Sequence, residues 1–255
     1  MATLAYNIQN QFNNLYFEIN SPILDWVNNT YKPQIQNLIE TLNYSSKQAY
    51  EDFFKLQSIT MFECKWFPGV VYLLDRKVLF EIYDILLHSR GKSKRREKRI
   101  DNIIISNYSS KEIQRIKNKW KKSDLESHIK KILCQAIDSH IRGEYALCIA
   151  ALATMWEGLI HYKLNIKSRL NQKETKKRFN DLISLNEYDE IVYDFYEKFI
   201  VSQCNTPDDV IEGVPNRNAI SHSKYKKYPN KKASLNAILL TDFIISLEAK
   251  ETLEV

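Results

Sequence analysis

Glycine is scarce: Gly69, Gly91, Gly143, Gly158 and Gly213 are the only five in 255 residues. No glycine-rich turn is available to fold backbone amides around a phosphate, which excludes a P-loop or a dinucleotide-binding Rossmann core. The four cysteines, Cys64, Cys134, Cys148 and Cys204, stand far apart without a Cys-x-x-Cys pair. Three of them fall on apolar helical patterns, where a free thiol behaves as a small hydrophobe, so neither a disulfide framework nor a zinc site is expected. The chain also lacks a basic leader followed by an apolar segment. No run approaches the eighteen apolar residues that a membrane span needs, and a cytoplasmic protein is expected.

The composition is that of a packed protein. Hydrophobic residues make up 44% and charged residues 27%, far from the signature of disorder. The formal net charge of +6 biases encounters toward polyanions.

Helical periodicity dominates, and the expected fold class is all-α. Ser123-Asp124-Leu125-Glu126 has the pattern of a capping box, so a helix is expected to start there. Leu125, Ile129, Leu133, Ala136, Ile137 and Ile141 then recur at steps of three and four until Gly143. A second helix runs from Glu144 to about Ile166, with Tyr145, Cys148, Leu152, Met155, Trp156 and Leu159 on a broad face. A short helix around Phe179–Leu185, another over Ile191–Val201, a loop at Asn205–Gly213 and a closing helix through Leu235, Ile238, Leu239, Phe243 and Leu247 follow. Upstream, helix-like stretches lie at Pro22–Leu42, Ser46–Leu56, Val70–Leu87 and Ser110–Trp120. Residues 62–69, rich in aromatics and ending in Pro68-Gly69, are expected to tuck irregularly against the core. The expected division is a mainly helical N-terminal region, 1–122, and a C-terminal helical bundle, 123–255.

Asn216-Arg217-Asn218-Ala219-Ile220-Ser221-His222 is the stretch that bears chemistry. It sets a permanent cation beside a side chain that titrates near pH 7, the pair that phosphodiester cleavage requires. Pro215 fits the first turn of a helix carrying Arg217 to His222, whose N-terminus would itself favour a phosphate. The following loop, residues 223–232, interleaves Lys224, Lys226 and Lys227 with Tyr225 as single-strand binders do, and reads either as an RNA-docking loop or as a soluble connector.

Arg217, Asn218 and His222 match the Arg-polar-x3 to x5-His motif of the HEPN superfamily, which the C-terminal half resembles. The likeness extends to His140-x-x-Gly143-x-Tyr145, to Glu157-Gly158-Leu159 and to the Ala233-Ser234-Leu235-Asn236 opening of the last helix, about half the chain in all. Many relatives have a glycine after the histidine, whereas Ser223 stands here. The resemblance implies a metal-independent ribonuclease with no cofactor, serving as a toxin or an anti-phage abortive-infection effector with an antitoxin or defence-system partner. It also implies a homodimer whose two motifs line one groove. On an ideal helix Arg217 and His222 would point about 140° apart, which favours pairing the arginine of one copy with the histidine of another. His222 would move the proton of the 2′-hydroxyl or of the leaving 5′-oxygen, Arg217 would stabilise the phosphorane, and Asn218 would orient the imidazole or a phosphate oxygen. The products would be 2′,3′-cyclic phosphate and 5′-hydroxyl ends. The alternative is a non-catalytic, HEPN-like dimerisation or partner-binding adaptor.

Glu157, a carboxylate on an apolar helix, needs a partner. It is expected either in a structural salt bridge or holding Arg217. His140 and His161 read as packing residues, and Trp26, Trp66, Trp120 and Trp156 as core. The basic run from Arg90 to Arg99 is either a solvated loop or a phosphate-tracking patch on the face of His222.

Overall fold

The structure, a computed structural model, describes residues 48, 50–88, 94–166, 171–186, 188, 190–225, 227 and 229–248. The helix expected at 22–42, together with Trp26, Arg90, Lys92, Lys226 and Tyr228, lies outside these. The chain forms two compact units, Met1–Phe53 and Phe54–Val255. In the first, the described residues at 48 and 50–53 are helical. The second carries everything that follows, and the class is all-α: no strand occurs among the described residues.

The helices of the second unit are, in chain order, α1 (54–63), α2 (Arg76–His88), α3 (Lys94–Asn107), α4 (Ser110–Lys122) and α5 (Ser127–Ile141). They continue as α6 (Tyr145–Lys163), α7 (Gln172–Leu185), α8 (Ile191–Phe195), α9 (Arg217–Ser221) and α10 (Lys231–Ser246). A 3₁₀ turn occupies Pro68–Tyr72, and α8 runs on as a π turn over Tyr196–Ile200.

Two apolar helices organise the bundle. Buried residues run along most of α10, and α6 buries Cys148, Ile149, Leu152, Ala153, Trp156, Leu159 and Ile160. Helices hydrophobic round most of their circumference must sit inside. Accordingly α6 packs against α5, α7, α9 and α10, while α10 also touches α3, α4 and α5. Residues 54–122 share this core: Trp66, Phe67 and Trp120 are fully buried, and Trp120 Nε1 donates to Asp242 on α10 at 2.8 Å. The division expected after residue 122 falls between α4 and α5, which pack on each other within one unit.

The expected helix start at Ser123 is displaced. Ser123 closes α4 instead, its hydroxyl donating to the Trp120 carbonyl at 2.7 Å, and α5 begins at Ser127. A serine hydroxyl satisfies the orphan carbonyls of a preceding helix as readily as the amides of the next. The stretch expected as one helix over 70–87 is broken at 73–75, where Asp75 accepts from the Lys77 amide at 3.0 Å and opens α2. The basic run is helical from Lys94, and Arg96 is pinned to Glu63 at 3.5 Å.

Candidate functional site

Helix α9 has five residues, and both of its ends are fastened. Asn216 is its N-cap, accepting from the Ala219 amide at 2.8 Å. Pro215 therefore lies before the cap rather than in the first turn, because asparagine is the stronger capping residue. The Asn216 amide nitrogen donates to the Phe199 carbonyl at 2.8 Å and to Ser202 Oγ at 3.0 Å, and the residue is only 4% exposed. One turn long, α9 has little of the dipole expected of a phosphate cradle.

At the other end the Lys224 amide bonds to the Ala219 carbonyl at 2.9 Å and the Ser223 amide to Ile220 at 3.5 Å. This is the double bond of a Schellman closure, and it puts Ser223 at φ 54°, the left-handed conformation glycine favours. Ser223 thus takes the path that a glycine would take.

The closure ends the helix at Ser221 and leaves His222 at φ −112°, ψ 14°. The His222 amide still bonds to the Asn218 carbonyl at 3.1 Å, and Arg217 and His222 of one chain line the same open cleft. It has a volume of about 630 Å³, and Glu157, Asn171, Gln172, Glu174, Asn218 and Ser221 complete its walls.

Glu157 on α6 grips the guanidinium at both prongs, Arg217 Nη1 to Oε1 at 2.5 Å and Nη2 to Oε2 at 3.1 Å. The two side chains are 28% and 33% exposed, a half-open pair whose geometry is bidentate. Nearby Tyr196 is buried, and that burial, with the Glu157 carboxylate, pushes its phenol up. Among the described residues the ring of His222 makes no hydrogen bond or ion pair, and the side chain is exposed.

Asn218 is committed elsewhere. Its amide nitrogen donates to the carbonyls of Ser202 at 2.9 Å and Val201 at 3.3 Å, tying α9 to the end of the π turn. The Tyr225 hydroxyl is likewise occupied: it donates to the Val214 carbonyl and accepts from the Asn216 amide, both at 3.1 Å. Burial pushes that phenol up to about 12. Lys224 is half-buried and Lys227 exposed.

Asn171, Gln172 and Glu174 were not anticipated in the wall. Asn171-x-x-Glu174 is a capping box at the start of α7, visible as a helix signal but silent about which cleft it borders. With Glu157 and Glu174 against a single guanidinium, the cleft carries one surplus negative charge when His222 is neutral. Among the described residues no three His, Cys, Asp or Glu side chains come together to hold a metal, and no helix is long and apolar enough to cross a membrane. Comparison with protein-family models, curated proteins and solved structures finds no match to this chain.

Proposed function

We propose that this chain is a metal-independent endoribonuclease of the HEPN type, a toxin or anti-phage effector that cuts RNA to 2′,3′-cyclic phosphate and 5′-hydroxyl ends. The observation that carries it is the meeting of Arg217 and His222 on one open cleft, the guanidinium fixed by Glu157 and the imidazole unengaged. In this reading a neutral His222 removes the 2′-hydroxyl proton, the 2′-oxygen attacks phosphorus, and an imidazolium returns a proton to the departing 5′-oxygen. Arg217 balances the phosphorane charge.

Pairing of two copies about a dyad would supply base and acid from two histidines. Lys224 and Lys227 lie on the loop leaving His222 and would guide the strand. Purified protein incubated with end-labelled RNA, with and without EDTA, tests the reading. Chelator-resistant cleavage that His222→Ala abolishes supports it, and equal cleavage by the variant refutes it.

The same ion pair favours a second reading, a partner-binding adaptor in which Arg217 and Glu157 only brace the bundle. An inert protein that still forms dimers and whose partner binding survives His222→Ala would select that one.

A further inference from the structure

A cavity of about 220 Å³ lies beside the motif, between residues 207–213, the residues Tyr225, Lys227, Pro229 and Asn230, and the start of α10. Pro207, Val210, Pro229 and the Tyr225 ring give it apolar walls, and Asp208 and Glu212 contribute carboxylates. Its walls are braced. Asp209 accepts from the Asn205 amide at 2.9 Å and from the Thr206 amide at 2.8 Å, and the Tyr225 hydroxyl is tied to Val214 and Asn216. Gly213 sits at φ 84°, where a side chain is strained, and a Cβ there would crowd Lys232 Cδ at 2.9 Å, so this stretch of wall favours glycine. Cavities held open in the free protein bind without an ordering cost.

Resting on the ribonuclease reading, we infer that this cavity takes the base of a nucleotide flanking the scissile phosphate and prefers guanine. Apolar walls with one aromatic ring suit the face of a nucleobase. Ionised carboxylates only accept hydrogen bonds, so they match a base edge with adjacent donors. Guanine offers N1–H beside its N2 amino group, whereas adenine presents an acceptor at N1. Lys227, which also lines the cavity, would face the phosphate attached to that nucleotide. The distance is suitable: Tyr225 follows His222 by three residues, at most about 11 Å of chain.

The test is equilibrium titration of the full chain with guanosine and adenosine monophosphates, run beside cleavage of RNAs carrying each of the four bases next to one defined linkage. The expected result is a guanosine preference of about tenfold to a hundredfold, the discrimination of one bidentate base contact. The preference should disappear in Asp208→Asn/Glu212→Gln and persist in His222→Ala. Both acids are exposed, and a thermal melt checks that the double variant is folded. Equal affinity for the two nucleotides, or no binding of either, overturns the inference, even if all four RNAs are cut. Guanosine binding that depends on Asp208 and Glu212 without any cleavage upholds the cavity and defeats the ribonuclease reading instead.

Discussion

Polar side chains in α10 and polar side chains in the cleft meet opposite fates. On α10, Ser234 Oγ lies 2.8 Å from His140 Nδ1, and Thr241 accepts from Trp156 at 2.9 Å. Asn236 accepts from the Phe67 amide at 2.8 Å and donates to the Gly213 carbonyl at 2.9 Å and the Lys65 carbonyl at 3.0 Å. Each is fully buried and fully occupied, as a low-dielectric interior demands. At the cleft Arg217 has a carboxylate on one side and open space on the other, while His222 faces solvent. A buried polar group that is saturated with protein partners builds the fold. One left half-satisfied at a cleft is free to meet something else.

That contrast is sharpest in a pair of substitutions. His222→Ala should reduce RNA cleavage by about 10²–10⁴-fold, the usual weight of a general acid–base group, with unfolding unchanged within about 0.5 kcal/mol. Asn236→Ala should do the reverse. It leaves the Phe67 amide and two carbonyls without partners and should cost about 3 kcal/mol in urea unfolding, with residual activity tracking the folded fraction. A stability loss at His222 as large as that at Asn236 would dissolve the distinction.

The two histidines differ in the same way. Burial, with Lys231 nearby, lowers His140 to about 4, so it is neutral in the folded protein. The unfolded state binds its proton near pH 6.5. The stability contributed by this site is therefore complete above pH 6.5 and is lost as the pH falls toward 4, by roughly 3 kcal/mol in total. Urea melts between pH 7 and 4 should show this slope, and His140→Gln should flatten it. Glu157→Gln is the intermediate case. The fold should lose under about 1 kcal/mol, because the pair is partly open to water. Cleavage should fall about tenfold to a hundredfold as the guanidinium loses its fixed aim, and a variant as active as the parent would assign the pair to bracing alone.

Much of the fold was legible because α6 and α10 carry long apolar periodicity, and a helix of that kind has only the interior to go to. The cleft was half legible. Arg217 and His222 stand out by chemistry, and Glu157 by being a carboxylate among apolar residues. A spacing of about 140° on an ideal helix did not anticipate that both side chains of one chain would line a single open cleft. Asn218 and Tyr225 resemble ligand-binding residues in sequence, yet they bond to carbonyls and amides sixteen and nine residues away. Asn216 shows the reverse. Its N-cap role was readable from its place before Arg217, while its bonds to Phe199 and Ser202 depend on the π turn coming alongside, which no local pattern announces.

The smallest expected effect tests whether the motif loop tolerates strain for the sake of its sequence. Helices α5 and α9 close alike: Gly143 at φ 80° bonds to the His140 carbonyl while the Glu144 amide reaches Ser139, as Ser223 and Lys224 do with Ile220 and Ala219. The α6 helix repeats the arrangement with Asn165 at φ 51° and α1 with Lys65 at φ 61°, so among the described residues three of these four positions are filled with side chains. An L-residue in this conformation costs about 1–2 kcal/mol, partly offset by the lower unfolded-state entropy it brings relative to glycine. Ser223→Gly should therefore stabilise the protein by about 0.5–1 kcal/mol, raising the melting temperature by about 1–4 °C, and Gly143→Ser should lower it by a similar amount. Because both closures keep the same hydrogen bonds, cleavage by Ser223→Gly should match the parent at equal folded fraction. If it rises or falls several-fold instead, the backbone after His222 is part of the catalytic geometry and not merely the end of a helix.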